Sequence, residues 1–151
     1  MPPLQGFMYG VWLLPGVLGA LVIRKPGAAV FTELVAAIVS ALLGSQWGLT
    51  VVWYGLLQGA AAEAVFLLRA YRSWSLPTAV LAGAAAGVTA AVLDVLYYYP
   101  DWSAGWVTTD SVMVAASAAL IAGVGSWLLV RALATTGVLS PFRSGREQAA
   151  V

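Results

Sequence analysis

The chain has 151 residues, of which 62% are hydrophobic and 9% charged, with a formal net charge of +1 and neither Cys nor His. An average soluble domain carries roughly 25% charged residues, so this composition belongs in a bilayer. Without thiols or imidazoles there are no disulfides, thiolate nucleophiles or imidazole bases, and none of the usual zinc or haem ligands; the near-zero charge gives no basic face for nucleic acid.

Apolar runs of about 17 to 25 residues predict five spanning helices, near 4–23, 28–44, 49–68, 78–99 and 111–130. The fold class is all-α, a polytopic helix bundle, because backbone groups in lipid must be satisfied within helices or closed barrels and barrel alternation is missing. The first span starts from an uncharged Met-Pro-Pro and ends at Arg24-Lys25-Pro26-Gly27. The second carries Glu33 on a small-residue face with Ala29, Ala36, Ala37, Ser40 and Gly44. Loop 45–48 follows, with Trp47. The third span carries Tyr54 and Gln58, and a Gly55, Gly59, Glu63 face. After 69–77, with Arg69 and Arg72, the fourth places Ala79, Gly83, Gly87, Ala91 and Asp94 on one face, and 100–110 is read as a loop. Beyond the fifth span, 132–151 is expected to be a cytoplasmic C-terminal tail of limited order.

Arg24 and Lys25, Arg69 and Arg72, and Arg131, Arg143 and Arg146 fall in alternate connections. The positive-inside rule assigns these to the cytoplasm and makes 45–48 and 100–110 external. Five spans then put Met1 outside.

Three acids, Glu33, Glu63 and Asp94, lie within apolar stretches that hold no base. An unpartnered carboxylate in hydrocarbon costs several kcal/mol, so such residues face a bundle interior and mark a ligand, ion or proton site. Small-residue stripes let helices approach closely, which points each acid at a neighbouring helix. A rise of about 1.5 Å per residue sets Glu33 about 10 Å in from Pro26, Glu63 a comparable depth from Arg69, and Asp94 about 9 Å in from the opposite end. Glu33 and Glu63 are therefore expected as neighbours. Gln58, near mid-membrane, offers an amide that can pair with a heterocycle. Trp47, Trp53, Tyr54, Tyr97, Tyr98, Tyr99, Trp102 and Trp106 crowd the external end. Most such residues anchor helices at the interface, but flat rings also stack on planar ligands and hold cations.

The segments PPLQGFMYGVWLLPGVLGALVIRKPGAAVFTELVAAIVSALLGSQWG, GLLQGAAAEAVFLL and GSWLLVRALATTGVLSPF resemble the YkoE-type S component, the substrate-binding membrane subunit, of energy-coupling factor transporters of the thiamine/hydroxymethylpyrimidine class. The resemblance spans essentially the whole chain. It is most specific in RKPGAAVFTEL, with Glu33, and LLQGAAAE, with Gln58 and Glu63. It implies a six-helix membrane protein that captures the vitamin from outside and docks on a transmembrane coupling protein and two ATPase subunits. Its first helix is expected to precede PPLQG and to be absent here.

Thiamine joins an aminopyrimidine, suited to a carboxylate or Gln, to a cationic thiazolium, suited to an acid and aromatic faces. The residues expected to bind it are Glu63, Gln58 and Asp94, with Trp47, Tyr54 and Tyr98 stacking; Glu33 is equally suited to structure or coupling. No cofactor or metal is expected. No glycine-rich phosphate loop with its Lys occurs, so the chain is expected not to be an enzyme and to leave ATP hydrolysis to its partners. The alternatives are a small proton-coupled exporter of organic cations cycling a proton on Glu33 or Glu63, and a purely structural subunit.

Overall fold

The computed structural model describes residues 2–149. Helices α1 (Pro2–Trp12) and α2 (Leu14–Ile23) form one interrupted traverse, α3 is Ala28–Leu42, α4 is Thr50–Leu68, and α5 is Leu76–Tyr97. α6 (Ala104–Ser117), a π-helical stretch (Ala118–Gly125) and α7 (Ser126–Thr135) make one continuous rod, and α8 (Arg143–Ala149) closes the described chain. Four of these traverses are long and apolar enough to cross a membrane, and α3 is a shorter apolar helix of 15 residues. The protein is an all-helical, multi-pass membrane protein.

Local chemistry sets the ends. Pro15 sits in the first turn of α2, where a missing N–H costs nothing. Arg24 ends α2 in the left-handed conformation (φ 54), its N–H bonded to the Ala20 carbonyl, and Gly27 (φ 85) opens α3. α3 stops at Leu42, so Gly44 leaves the helical face expected for it and turns the chain. The last rod begins at Ala104, within the stretch the sequence reads as a loop. In the polar run there the Thr108 and Thr109 hydroxyls bond back to the Ala104 and Gly105 carbonyls, each at 2.8 Å, which satisfies them within the helix.

Small residues seat the bundle. α3 lies on α4 so closely that a Cβ on Gly55 would stand 2.5 Å from Ala37 Cβ. α5 lies on the π stretch in the same way, with Gly83 against the Ala118 carbonyl. α5 is central, burying Ala79, Ala82, Ala86, Ala90 and Ala91 among α4, α6 and the π stretch. Dispersion between closely approaching backbones supplies the association that the hydrophobic effect cannot supply in lipid.

Up-and-down traverses sort the charges. All seven bases, Arg24, Lys25, Arg69, Arg72, Arg131, Arg143 and Arg146, lie at one end of the bundle, while Asp94, Asp101 and Asp110 lie at the other. At the basic end α8 docks on α2 and α7, with Glu147 bridging Arg24 and Arg143. Beyond Val130 the chain continues as α7 to Thr135 and then forms α8, within the stretch the sequence reads as a tail.

Candidate functional site

The acidic end holds a cavity of about 510 Å³, within the usual size of small-molecule sites. α1 contributes Gln5, Tyr9 and Trp12, which share one helical face and line it together. The end of α5 brings Asp94 and Tyr98, the following turn Tyr99 and Trp102, the start of α4 Tyr54, the α3–α4 loop Trp47, and α6 Asp110.

Polar contacts in this wall are few and directed. The Tyr9 hydroxyl donates to Asp94 Oδ2 at 2.5 Å, joining α1 to α5. Asp94 and Asp110 are both buried, and Asp110 has no hydrogen-bond partner among the described residues. The Tyr54 hydroxyl is buried on the Asp94 side of the wall and makes no hydrogen bond of ordinary geometry among the described residues. The rings form a continuous chain: Tyr54 lies 6.0 Å from Tyr98, Tyr98 packs edge-on against Trp47 at 5.1 Å, and Tyr99 stacks on Trp102 at 4.0 Å. Burial pushes the Tyr99 phenol above its ordinary range, and the charges of Asp94 and Asp110 push it the same way. The result is an aromatic box with two carboxylates and, among the described residues, no base, suited to a planar ligand carrying positive charge.

Of the residues singled out from sequence, Asp94, Trp47, Tyr54 and Tyr98 line this cavity together. Gln58 stands behind it, wholly buried, its Oε1 accepting from Trp12 Nε1 at 3.0 Å and its Nε2 unpartnered. Glu33 is also buried, and its Oε2 accepts the Gly16 N–H at 2.7 Å in the first turn of α2. Glu63 lies at the basic end at the start of α3, accepting the N–H groups of Gly27 (2.7 Å), Ala29 (2.9 Å) and Val30 (3.3 Å). Tyr71, in a left-handed conformation (φ 53), folds back to donate its hydroxyl to Glu63 at 2.8 Å. Burial raises the Tyr71 phenol to about 12, and this hydrogen bond and the Glu63 charge act in the same direction. Glu63 thus satisfies N–H groups at the start of α3, a role that stabilises an acid inside a membrane without a base, whereas Glu33 meets one N–H of α2 and its buried Oε1 has no partner among the described residues.

Sequence reasoning missed Tyr9, Trp12 and Asp110. The signal for the first two was present, since positions 5, 9 and 12 put Gln, Tyr and Trp on one face of an otherwise apolar helix. Asp110 was hidden by its reading as loop.

Fold and cavity define a substrate-binding membrane protein of the transporter class. Residues 1–89 match the family described as ABC-type cobalt transport system, permease component. The chain is 39% identical over 141 residues to the HMP/thiamine permease protein YkoE of Bacillus subtilis (strain 168), covering 93% of this chain and 71% of that protein. A crystal structure of an S-component of an ECF transporter superposes with a TM-score of 0.95 at 37% identity, covering 99% of this chain and 76% of that one. The chain belongs to this family, the substrate-binding S components of energy-coupling factor transporters. The cobalt in the broader description finds no counterpart in the site: among the described residues no group of three or more His, Cys, Asp or Glu side chains is placed to hold a metal ion.

Proposed function

We propose that the chain captures thiamine or its hydroxymethylpyrimidine precursor in the cavity at its acidic end, from the external side of the membrane. The observation that carries this reading is a pair of buried acids, Asp94 and Asp110, in an aromatic box without a base. Asp94, oriented by Tyr9, is the group that meets ligand charge or an aminopyrimidine N–H pair. Trp47, Tyr98 and Tyr54 supply ring faces, and the Tyr54 hydroxyl, on the Asp94 side of the wall, a further hydrogen bond. Two acids suit cationic thiamine better than neutral hydroxymethylpyrimidine. Glu63 and Glu33 hold helix starts, and Gln58 fixes the Trp12 ring that forms one wall.

The proposed orientation follows the gathering of every Lys and Arg at the end opposite the cavity, which puts that end and the C-terminus in the cytoplasm. Transport would then require a transmembrane coupling protein and two ATPase subunits, with ATP hydrolysed there, and the chain itself would be no enzyme. Of the acids an exporter would cycle, Glu63 is engaged by three backbone N–H groups and Tyr71, which favours capture over proton exchange at that residue.

Isothermal titration of thiamine and hydroxymethylpyrimidine into the detergent-solubilised chain tests the reading. Tight thiamine binding that disappears in Asp94→Asn is the expected result. Folded protein that binds neither compound overturns it.

A further inference from the structure

A second, smaller cavity of about 110 Å³ lies at the basic end, lined by Leu21, Arg24, Trp74, Trp127, Val130 and Arg131. Its four polar side chains are two guanidiniums and two indoles, all of them donors with no acceptor. Arg24 is fixed by its Nε bond to the Leu21 carbonyl (3.1 Å) and by Glu147, which leaves Nη2 without a partner among the described residues. Arg131 lies 4.6 Å from the centre of the Trp127 ring and makes neither a hydrogen bond nor an ion pair among the described residues. Arg24 lies over Trp74 at 5.9 Å. Glu147 is the acid bound to this group and already serves both Arg24 and Arg143. Among the described residues Arg131 has no acid partner, and Arg24 shares its one acid with Arg143, so the cavity keeps an excess of positive charge.

A donor-only cavity with excess positive charge calls for a compact, acceptor-rich anion. Arg and Trp at the ends of spanning helices stand at headgroup depth, where such an anion is a phosphate. We infer that this cavity binds a phosphate group, that of an anionic phospholipid, with Arg131 and the free edge of Arg24 as its donors. Trp127 and Trp74 attract the two guanidiniums through their ring faces and add their own N–H donors to the cavity lining. The site is separate from the aromatic cavity and does not depend on what that cavity binds.

Native mass spectrometry of the full chain in detergent tests this, with phosphatidylglycerol, phosphatidylcholine and inorganic phosphate titrated separately. The expected result is a retained phosphatidylglycerol adduct, weakened about tenfold in Arg131→Gln and unchanged in Arg69→Gln, a basic-end variant outside the cavity. Melting temperatures of both variants confirm folding. If inorganic phosphate displaces phosphatidylglycerol from the wild type but not from Arg131→Gln, the phosphate site stands and its source is free phosphate. Equal weakening by both substitutions would reduce the effect to general surface charge and overturn the inference. So would no binding of any phosphate compound, and loss of capture by the coupling protein in Arg131→Gln would then identify the cavity as a protein contact.

Discussion

At the basic end Glu63 accepts four hydrogen bonds, three from backbone N–H groups and one from Tyr71, whereas at the cavity end Asp94 accepts one, from Tyr9. Asp110 accepts none among the described residues. Both regions place carboxylates in apolar helices without a side-chain base beside them. The difference is what completes them. Glu63 is completed by the fold, because three first-turn N–H groups of α3 converge on it and supply the positive end of a helix dipole. Asp94 and Asp110 keep acceptor capacity facing a cavity, where the proposed ligand would meet it. An acid in a membrane span is therefore a binding residue only after its backbone partners have been counted.

Removing the cavity acid is the sharpest way to break this contrast. Asp94→Asn is expected to weaken thiamine binding by at least about thirtyfold, the loss typical of a buried charge contact, with little change in melting temperature. Glu63→Gln is expected to stay within about twofold of wild-type affinity, since its hydrogen bonds lie at the opposite end. Titration calorimetry of the two variants side by side decides between them. A folded Glu63→Gln variant that no longer binds would show that the basic end belongs to the site and that the contrast is false.

Stability should move the other way. Glu63→Gln keeps shape but loses charge at a helix start, and an expected cost of about 2 kcal/mol follows from capping and charge-assisted hydrogen bonds. Tyr71→Phe removes one of the four donors and should cost about 1 kcal/mol. Both are read from unfolding midpoints in mixed detergent micelles. Within the aromatic box, Trp47→Ala or Tyr98→Ala should each lower affinity for a cationic ligand about fivefold, the scale of one cation–π contact, while Tyr98→Phe keeps the ring and most of the affinity.

Much of the architecture was legible because bilayer thickness forces long apolar runs into helices, and the small-residue faces of α3, α4 and α5 announced their packing partners. The aromatic crowd and Asp94 were legible for the same reason: polar or ring-bearing residues at one end of apolar spans stand out. The backbone partners of Glu63 and Glu33 were not, because a hydropathy pattern shows side chains and conceals the orphan N–H groups at helix starts. The start of the last rod at Ala104 was concealed too, since threonines look polar in sequence, whereas in place their hydroxyls are satisfied by carbonyls of their own helix. Tyr9 and Trp12 were readable as a face and were passed over because their helix carries no charge.

The smallest effect concerns the pair that ties α8 to α2. Burial alone would raise the Glu147 carboxyl, but the hydrogen bonds from Arg143 and Arg24 outweigh it and hold its pKa below the ordinary 4.5. A carboxylate with a lowered folded pKa contributes stability above its ordinary pKa and loses it as pH falls through the lowered value. The difference in melting temperature between wild type and Glu147→Gln should therefore be constant from about pH 7 to about pH 5 and close below about pH 4. Because the Glu147 side chain is 38% exposed, water and salt screen the pair, and the difference should also shrink as ionic strength rises. Thiamine affinity should not follow it, since α8 lies at the end away from the cavity. A parallel fall in affinity for Glu147→Gln would mean that the two ends are mechanically coupled through α2 and α1, whose Tyr9 holds Asp94.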